Sequence, residues 1–160
     1  MDKSKARCSA FDKAVNLLAF KDRTTQEIIQ KLKEKGYSDD DIEETVDKLS
    51  YYGYLNDQNY TISYIKDNAS KKGKKLITNE LSKKGVDKSV IDFACEEVEI
   101  DELSSIDYII SHRFSDANFK DEKTYRRIVN YFLRRGFTYD NIKRSIKAQY
   151  HFAYDDEQFC

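Results

Sequence analysis

The stretch ITNELSKKGVDKSVI, residues 77–91, contains the signals that end one helix and start another. Ile77 and Leu81 are four positions apart, which places both side chains on one face of a helix. Gly85 follows after four more residues and suits the left-handed position at which helices end. The side chain of Asp87 can accept hydrogen bonds from the free N–H groups of a new helix. The stretch therefore predicts a helix, a tight turn and a second, capped helix.

This pattern occurs three times in the chain. Gly36, Gly85 and Gly136 are separated by 49 and 51 residues (85 − 36 and 136 − 85), a period typical of helical repeats. Around each glycine, two apolar residues precede the turn, and an apolar residue, a capping residue and an isoleucine follow it. The matching positions are Ile28, Leu32, Tyr37, Ser38 and Ile42; Ile77, Leu81, Val86, Asp87 and Ile91; and Ile128, Phe132, Phe137, Thr138 and Ile142. Their apolar members are predicted to form the core.

A third helix is predicted before each of these pairs, from apolar residues at helical spacing in residues 11–20, 60–69 and 103–112. The chain has no proline and only five glycines, so its helices can run unbroken. We therefore predict an all-α fold of three tandem three-helix repeats, with residues 96–102 partly a linker. The predicted repeats span residues 1–56, 57–99 and 100–160, the last including a C-terminal tail.

The composition excludes several classes of protein. Hydrophobic residues make up 39% and charged residues 36% of the chain, which is too apolar for a disordered protein. No apolar run approaches the roughly 18 to 20 residues that span a bilayer, and the first residues lack the apolar centre of a signal peptide. We expect a cytoplasmic protein.

Cysteine and histidine spacing gives no sign of a disulfide framework or a metal site. Cys8, Cys95 and Cys160 are far apart and odd in number, and His112 and His151 have no partner at ligand spacing. We expect free thiols and no metal or other cofactor.

Charge is segregated along the chain although the formal net charge is only −1. Residues 71–88 hold seven lysines against two acids, and residues 123–147 hold eight basic residues against one acid. Clustered cations of this kind bind phosphate or acidic partners, although they also occur as solvated helix faces. The candidate binding residues are Lys71, Lys72, Lys74, Lys75, Arg126, Arg127, Arg134, Arg135, Lys143 and Arg144.

An aromatic cluster is a second candidate surface for a partner. Tyr51, Tyr52 and Tyr54 surround Gly53, where not all three rings can be buried. Exposed tyrosines are common in protein interfaces, and partly buried tyrosines are common in cores.

Three segments resemble the RecX family. The segment YYGYLNDQNYTISYI, residues 51–65, is similar to a family signature at Leu55, Asp57 and Tyr60. The other two are KKGKKLITNELSKKGVDKSVI, residues 71–91, similar at Gly73, Glu80, Leu81, Lys84, Gly85 and Val86, and FLRRGFTYDNI, residues 132–142, similar at Leu133, Arg135, Gly136, Phe137, Thr138 and Ile142. The three occur in order and extend the resemblance from about Ala14 to Lys147.

The resemblance implies an elongated, curved row of three-helix modules that binds the RecA filament. It further implies a monomeric regulator without catalytic activity, which inhibits or modulates RecA in recombination, DNA repair and the SOS response. Direct contact with single- or double-stranded DNA stays open. The acids of residues 39–47 make a uniformly basic surface doubtful in the first repeat.

Two other functions fit parts of the sequence. A glycine turn between short helices also describes a helix-turn-helix, and in the third repeat Asn141, Lys143 and Arg144 could read bases. An enzyme would need a nucleophile with a base, or a phosphate-binding glycine loop, and neither pattern is visible.

Overall fold

The computed structural model describes residues 8–151 of the protein, and this part of the chain is all-α. Within residues 8–151, nine helices form three triplets, and the helices predicted at residues 11–20, 60–69 and 103–112 are found within a few residues of these limits. Numbered α1 to α9, they span Ala10–Phe20, Thr25–Glu34, Asp39–Tyr51, Asp57–Asn68, Lys74–Lys83, Lys88–Glu97, Glu102–Arg113, Glu122–Arg134 and Tyr139–Tyr150.

The three glycine turns have the predicted left-handed geometry. Gly36, Gly85 and Gly136 have φ angles of 78°, 79° and 83°, which a side chain would disfavour. After two of these turns the predicted caps form, since the side chain of Ser38 accepts from the N–H of Asp41 and that of Thr138 accepts from Asn141.

The starts of α2 and α4 show how capping residues are used. Thr24 and Glu27 form a capping box, in which each side chain accepts the other's backbone N–H. Asn56 caps α4 by accepting from the N–H of Asn59 at 3.0 Å. Asp57, the next residue, instead accepts from the N–H of Thr25 at 2.8 Å.

One compact unit contains the first repeat together with residues 57–63 and 81–94. Its core joins the apolar stripes of α1, α2 and α3. The buried side chains are Ala10, Ala14, Ile28, Leu32, Ile42, Leu49 and Leu55.

A second compact unit contains the third repeat together with residues 64–80 and 95–99. Its core is rich in aromatic residues. The buried side chains are Ile106, Ile110, Phe119, Tyr125, Ile128, Val129, Phe132, Phe137, Ile142 and Ile146.

The isoleucine after each capped turn is buried in all three repeats, as the repeat alignment predicts. Ile42, Ile91 and Ile142 are 4%, 3% and 0% exposed. The division into two units passes through the middle repeat, so the proposed limits of that repeat, residues 57 and 99, stay a prediction.

Candidate functional site

The first basic zone surrounds Gly73 in the turn between α4 and α5. Lys71, Lys74 and Lys75 are exposed. Lys72 is different, because its Nζ lies 2.8 and 2.9 Å from the two carboxylate oxygens of Glu80. Lys72 is therefore engaged in an ion pair, and the other three lysines carry the positive charge of this turn.

The second basic zone meets this turn at a backbone contact. The N–H of Gly73 donates to the carbonyl of Arg135 at 2.8 Å. The contact is so close that a Cβ added at Gly73 would lie 2.2 Å from the carbonyl oxygen of Gly136. The two basic zones, on different repeats in sequence, are thus adjacent in the fold. We give the name junction patch to the exposed or half-buried cations at this contact, without Lys72, which pairs with Glu80. The junction patch comprises Lys71, Lys74, Lys75, Arg134 and Arg135.

The arginines of α8 have different environments. Arg126 pairs with Glu122 at 2.8 Å on the helix surface, and Arg127 is exposed. The Nε of Arg134 donates to the carbonyl of Asn130 at 3.3 Å. These three arginines are surface residues of one helix.

Arg135 lies over an aromatic ring. Its guanidinium carbon is 4.2 Å from the ring centre of Tyr131, and that of Arg113 is 5.0 Å from the same ring. Sequence reasoning missed Arg113, which lies outside both basic zones. The spacing of Tyr131 and Arg135, four residues apart at the end of a helix, could have indicated their contact.

The candidates on α9 are less closely tied to the patch. Arg144 is exposed and Lys143 is half-buried. Asn141, a predicted base reader, donates its side-chain amide to Glu102 at 2.9 Å. Glu102 is only 8% exposed and also accepts from the N–H of Lys74 at 2.7 Å. Asn141 therefore has a structural bond, which weakens the helix-turn-helix alternative.

Acidic side chains lie beside part of the junction patch. Lys74 and Lys75 share a groove of about 710 Å³ with Glu99 and Asp101. Carboxylates beside these lysines lower the local positive potential. Arg135, on Tyr131, is not among the residues that line this groove.

The tyrosine cluster is exposed, as expected. Tyr51, Tyr52 and Tyr54 are 85%, 62% and 61% exposed, and the rings of Tyr51 and Tyr52 meet edge to face with centres 5.4 Å apart. Phe20, on α1 of the same unit, is 88% exposed. This surface has the aromatic character of a protein interface.

Residues 8–151 contain no group of three His, Cys, Asp or Glu side chains with the arrangement of a metal site. No helix in that range combines the length and the apolarity needed to cross a bilayer. Cys8 and Cys95 are not joined in a disulfide, whereas Cys160 lies outside the described residues.

Two family models match the chain. The one described as RecX, first three-helix domain, matches residues 10–49, and the one described as RecX, second three-helix domain, matches residues 56–94. These matches include all of α1, α2, α4 and α5 and most of α3 and α6.

Relatives and solved structures agree with these matches. The chain is 33% identical to the regulatory protein RecX of Finegoldia magna, over 88% of this chain and 71% of the relative. It is 32% identical to the regulatory protein RecX of Vibrio vulnificus, over 88% and 93%. The crystal structure of RecX from Lactobacillus salivarius superimposes with a TM-score of 0.74 at 27% identity, over 89% and 96% of the two chains. By its helical triplets, its family matches and its relatives, the chain belongs to the RecX family.

Proposed function

We propose that this protein is a non-catalytic cytoplasmic regulator that binds the RecA–DNA filament and inhibits or modulates its recombinase and co-protease activity. Its relatives bear the name of regulatory proteins. Its place would be in recombination, DNA repair and the SOS response.

The junction patch is the observation that supports filament binding best. The contact between Gly73 and Arg135 brings cations from two repeats together. Exposed cations in such a group attract the phosphates of DNA or acidic surfaces of a protein polymer. Binding at this patch needs no reactive group, because a ligand that prefers one assembly state changes the amount of polymer by mass action.

The repeat architecture adds multivalency. Three helical triplets in one chain can contact successive subunits of a polymer, so that individually weak contacts reinforce one another. The exposed tyrosine cluster of the first repeat supplies a second, aromatic surface for protein contact. A regulator of this kind should act at well below one molecule per RecA subunit.

A RecA ATPase assay on single-stranded DNA tests the proposal. Titration of the protein should suppress ATP hydrolysis at a small fraction of the RecA concentration. An unchanged hydrolysis rate at equal concentrations of the two proteins would refute the proposal.

Charge reversal tests the role of the patch. Lys75→Glu combined with Arg134→Glu should raise the concentration needed for half-suppression at least about tenfold, as expected when several charge contacts are lost. Lys21→Glu combined with Lys33→Glu makes the same change in net charge on exposed positions of the first repeat. Equal weakening by both pairs would mean that net charge, and not the patch, controls binding.

A further inference from the structure

Arg113, Tyr131 and Arg135 form a cluster in which two cations share one aromatic ring. Arg113 is the last residue of α7, and Tyr131 and Arg135 lie at the end of α8. Because the guanidinium carbons are 5.0 and 4.2 Å from the ring centre, they cannot be more than 9.2 Å apart. Two positive charges at this separation repel each other, and an anion near both of them would offset the repulsion.

Neither guanidinium has a carboxylate partner within the described part of the chain. The ion pairs found there engage other cations, including Arg126 on the same helix. In addition, the Nε of Arg135 is buried and has no hydrogen-bond acceptor among residues 8–151. A buried donor without an acceptor is costly, and no protein group in this range satisfies it.

The ring that carries the two arginines is held in place by its neighbours. Tyr131 meets the rings of Phe114 and Phe132 edge to face, with centres 5.1 and 5.3 Å apart. Phe132 is fully buried in the core of its unit. The platform is therefore built into the fold before any ligand arrives, which lowers the entropy lost on binding.

A guanidinium stacked on an aromatic ring is well suited to phosphate. Stacking occupies the flat face of the guanidinium and leaves its N–H groups free at the edge. These N–H groups match two oxygens of one phosphate and give strong, charge-assisted hydrogen bonds. Two such arginines on one ring can hold neighbouring phosphates of a nucleic-acid backbone.

We propose that Arg113 and Arg135, positioned by Tyr131, bind the phosphodiester backbone of single-stranded DNA. The inference deepens the proposed function and rests on it for the presence of DNA in the filament. A polyanion fits better than a single carboxylate, because residues 123–139 contain five Lys or Arg and no acid. The turn that contains Lys71, Lys74 and Lys75 adjoins Arg135 through Gly73, so cations continue beyond the ring.

Binding of a fluorescent oligo(dT) to the full chain, measured by anisotropy without RecA over a range of salt concentrations, tests the inference. Arg113→Gln combined with Arg135→Gln should weaken binding about tenfold near physiological salt and should reduce the salt slope by about 1.4, which corresponds to two phosphates on a single strand. Lys21→Gln combined with Lys33→Gln is the matched control, since it removes the same number of charges from exposed positions of the first repeat. The single variant Arg113→Gln gives the change in slope for one arginine.

Three results would overturn the inference. One is a wild-type protein that does not bind oligo(dT) even at low salt. Another is a double arginine variant whose affinity and slope equal those of the control variant with Lys21→Gln and Lys33→Gln. The third is unchanged DNA binding together with lost binding of poly-L-glutamate, which would assign the pair to an acidic protein.

Misfolding of a variant and failure of the proposed function can each be distinguished from failure of the DNA site. Arg113 is exposed at a helix end, so Arg113→Gln should fold even if the double variant does not, and it should reduce the slope by about 0.7. If oligo(dT) binding falls while the wild-type protein leaves the RecA ATPase unchanged, the DNA site stands and the proposed function fails. If the protein suppresses the ATPase but does not bind oligo(dT), the proposed function stands and the DNA site fails.

Discussion

The first and second repeats contact each other through the same positions of the repeat as the second and third repeats do. In both, the residue before the second helix of one repeat donates to the last carbonyl before the glycine turn of the next repeat. The hydroxyl of Thr24 donates to the carbonyl of Lys84 at 2.7 Å, and the N–H of Gly73 donates to the carbonyl of Arg135 at 2.8 Å. The equivalent carbonyl thus accepts from a side-chain hydroxyl in the first contact and from a backbone N–H in the second.

A carboxylate completes each of the two contacts. Asp57 accepts from the N–H of Thr25 at 2.8 Å, and Glu102 accepts from the N–H of Lys74 at 2.7 Å. Each acid is the first residue of the next repeat's first helix, and each donor is the first residue of a second helix. The acid satisfies an N–H group that a helix leaves free at its start.

The two contacts differ in one ion pair. Between the first two repeats, Glu27 lies 3.0 Å from the Nζ of Lys84. The equivalent positions between the second and third repeats are Leu76 and Arg135, so the acid is replaced by an apolar residue. Arg135 therefore has no carboxylate at this position and lies on Tyr131 instead. The cation of the second contact thus lacks the ion pair that the cation of the first contact has.

The largest effect is expected from Gly73→Ala. The new Cβ would lie 2.2 to 2.4 Å from backbone atoms of Gly136 and Phe137, and backbone cannot move aside as a flexible side chain can. We expect a loss of about 3 kcal/mol or more in the free energy of unfolding, measured by urea denaturation. Gly53→Ala is the control, because Gly53 has a φ of 76° but no atom within 4 Å, and it should lose about 1 kcal/mol. Equal losses would show that the contact at Gly73 can relax.

A smaller loss of stability is expected from Glu102→Ala. This change leaves the N–H of Lys74 and the amide of Asn141 without their acceptor in a buried place, at a cost of about 2 kcal/mol. Asp57→Ala should cost less, about 1 kcal/mol, because the Asp57 carboxylate is only half-buried, whereas Glu102 is 8% exposed. Thermal unfolding of both variants would rank the two contacts, and a larger loss at Asp57 would reverse the ranking.

The fold was predictable because its signals are local. A left-handed glycine, the side-chain oxygen two residues later and an apolar residue four positions further on lie within seven consecutive residues, and all three copies carry them. The contacts between repeats depend on tertiary structure. From the sequence, Asp57 belongs only to a family signature, and Glu102 lies in a segment predicted to be partly a linker. Arg113 is 18 residues before Tyr131 in sequence, so no helical spacing could connect them.

The ion pair between Glu27 and Lys84 should make stability depend on pH. Burial raises the pKa of Glu27, but the N–H of Thr24 and the ammonium of Lys84 together lower it by more. The pKa of Glu27 therefore falls below the ordinary value of 4.5. The folded state then binds fewer protons than the unfolded state, and the stabilisation is lost as the pH falls below about 4.5. The loss of this ion pair should lower the free energy of unfolding by about 1 kcal/mol or less between pH 7 and pH 3, measured by urea denaturation. The variant Glu27→Gln should lack this contribution to the pH dependence.

The smallest effect on stability, and the most informative one, is expected from Leu76→Glu. This change gives the contact between the second and third repeats the acid that Glu27 supplies between the first two. Leu76 is half-buried beside Gly136, and a glutamate there should pair with Arg135 as Glu27 pairs with Lys84. Stability should change by no more than about 1 kcal/mol, since a half-exposed ion pair offsets the lost apolar contact.

The same variant should weaken oligo(dT) binding several-fold, because pairing with the new acid neutralises Arg135 and competes with phosphate for its N–H groups. Leu76→Gln is the control, since it has the same shape as glutamate without the charge. If Leu76→Glu and Leu76→Gln bind DNA equally, the missing acid is not what leaves Arg135 available. If only the glutamate weakens binding and the salt slope falls by about 0.7, then the acid missing from the contact between the second and third repeats accounts for the cation that the third repeat offers to DNA.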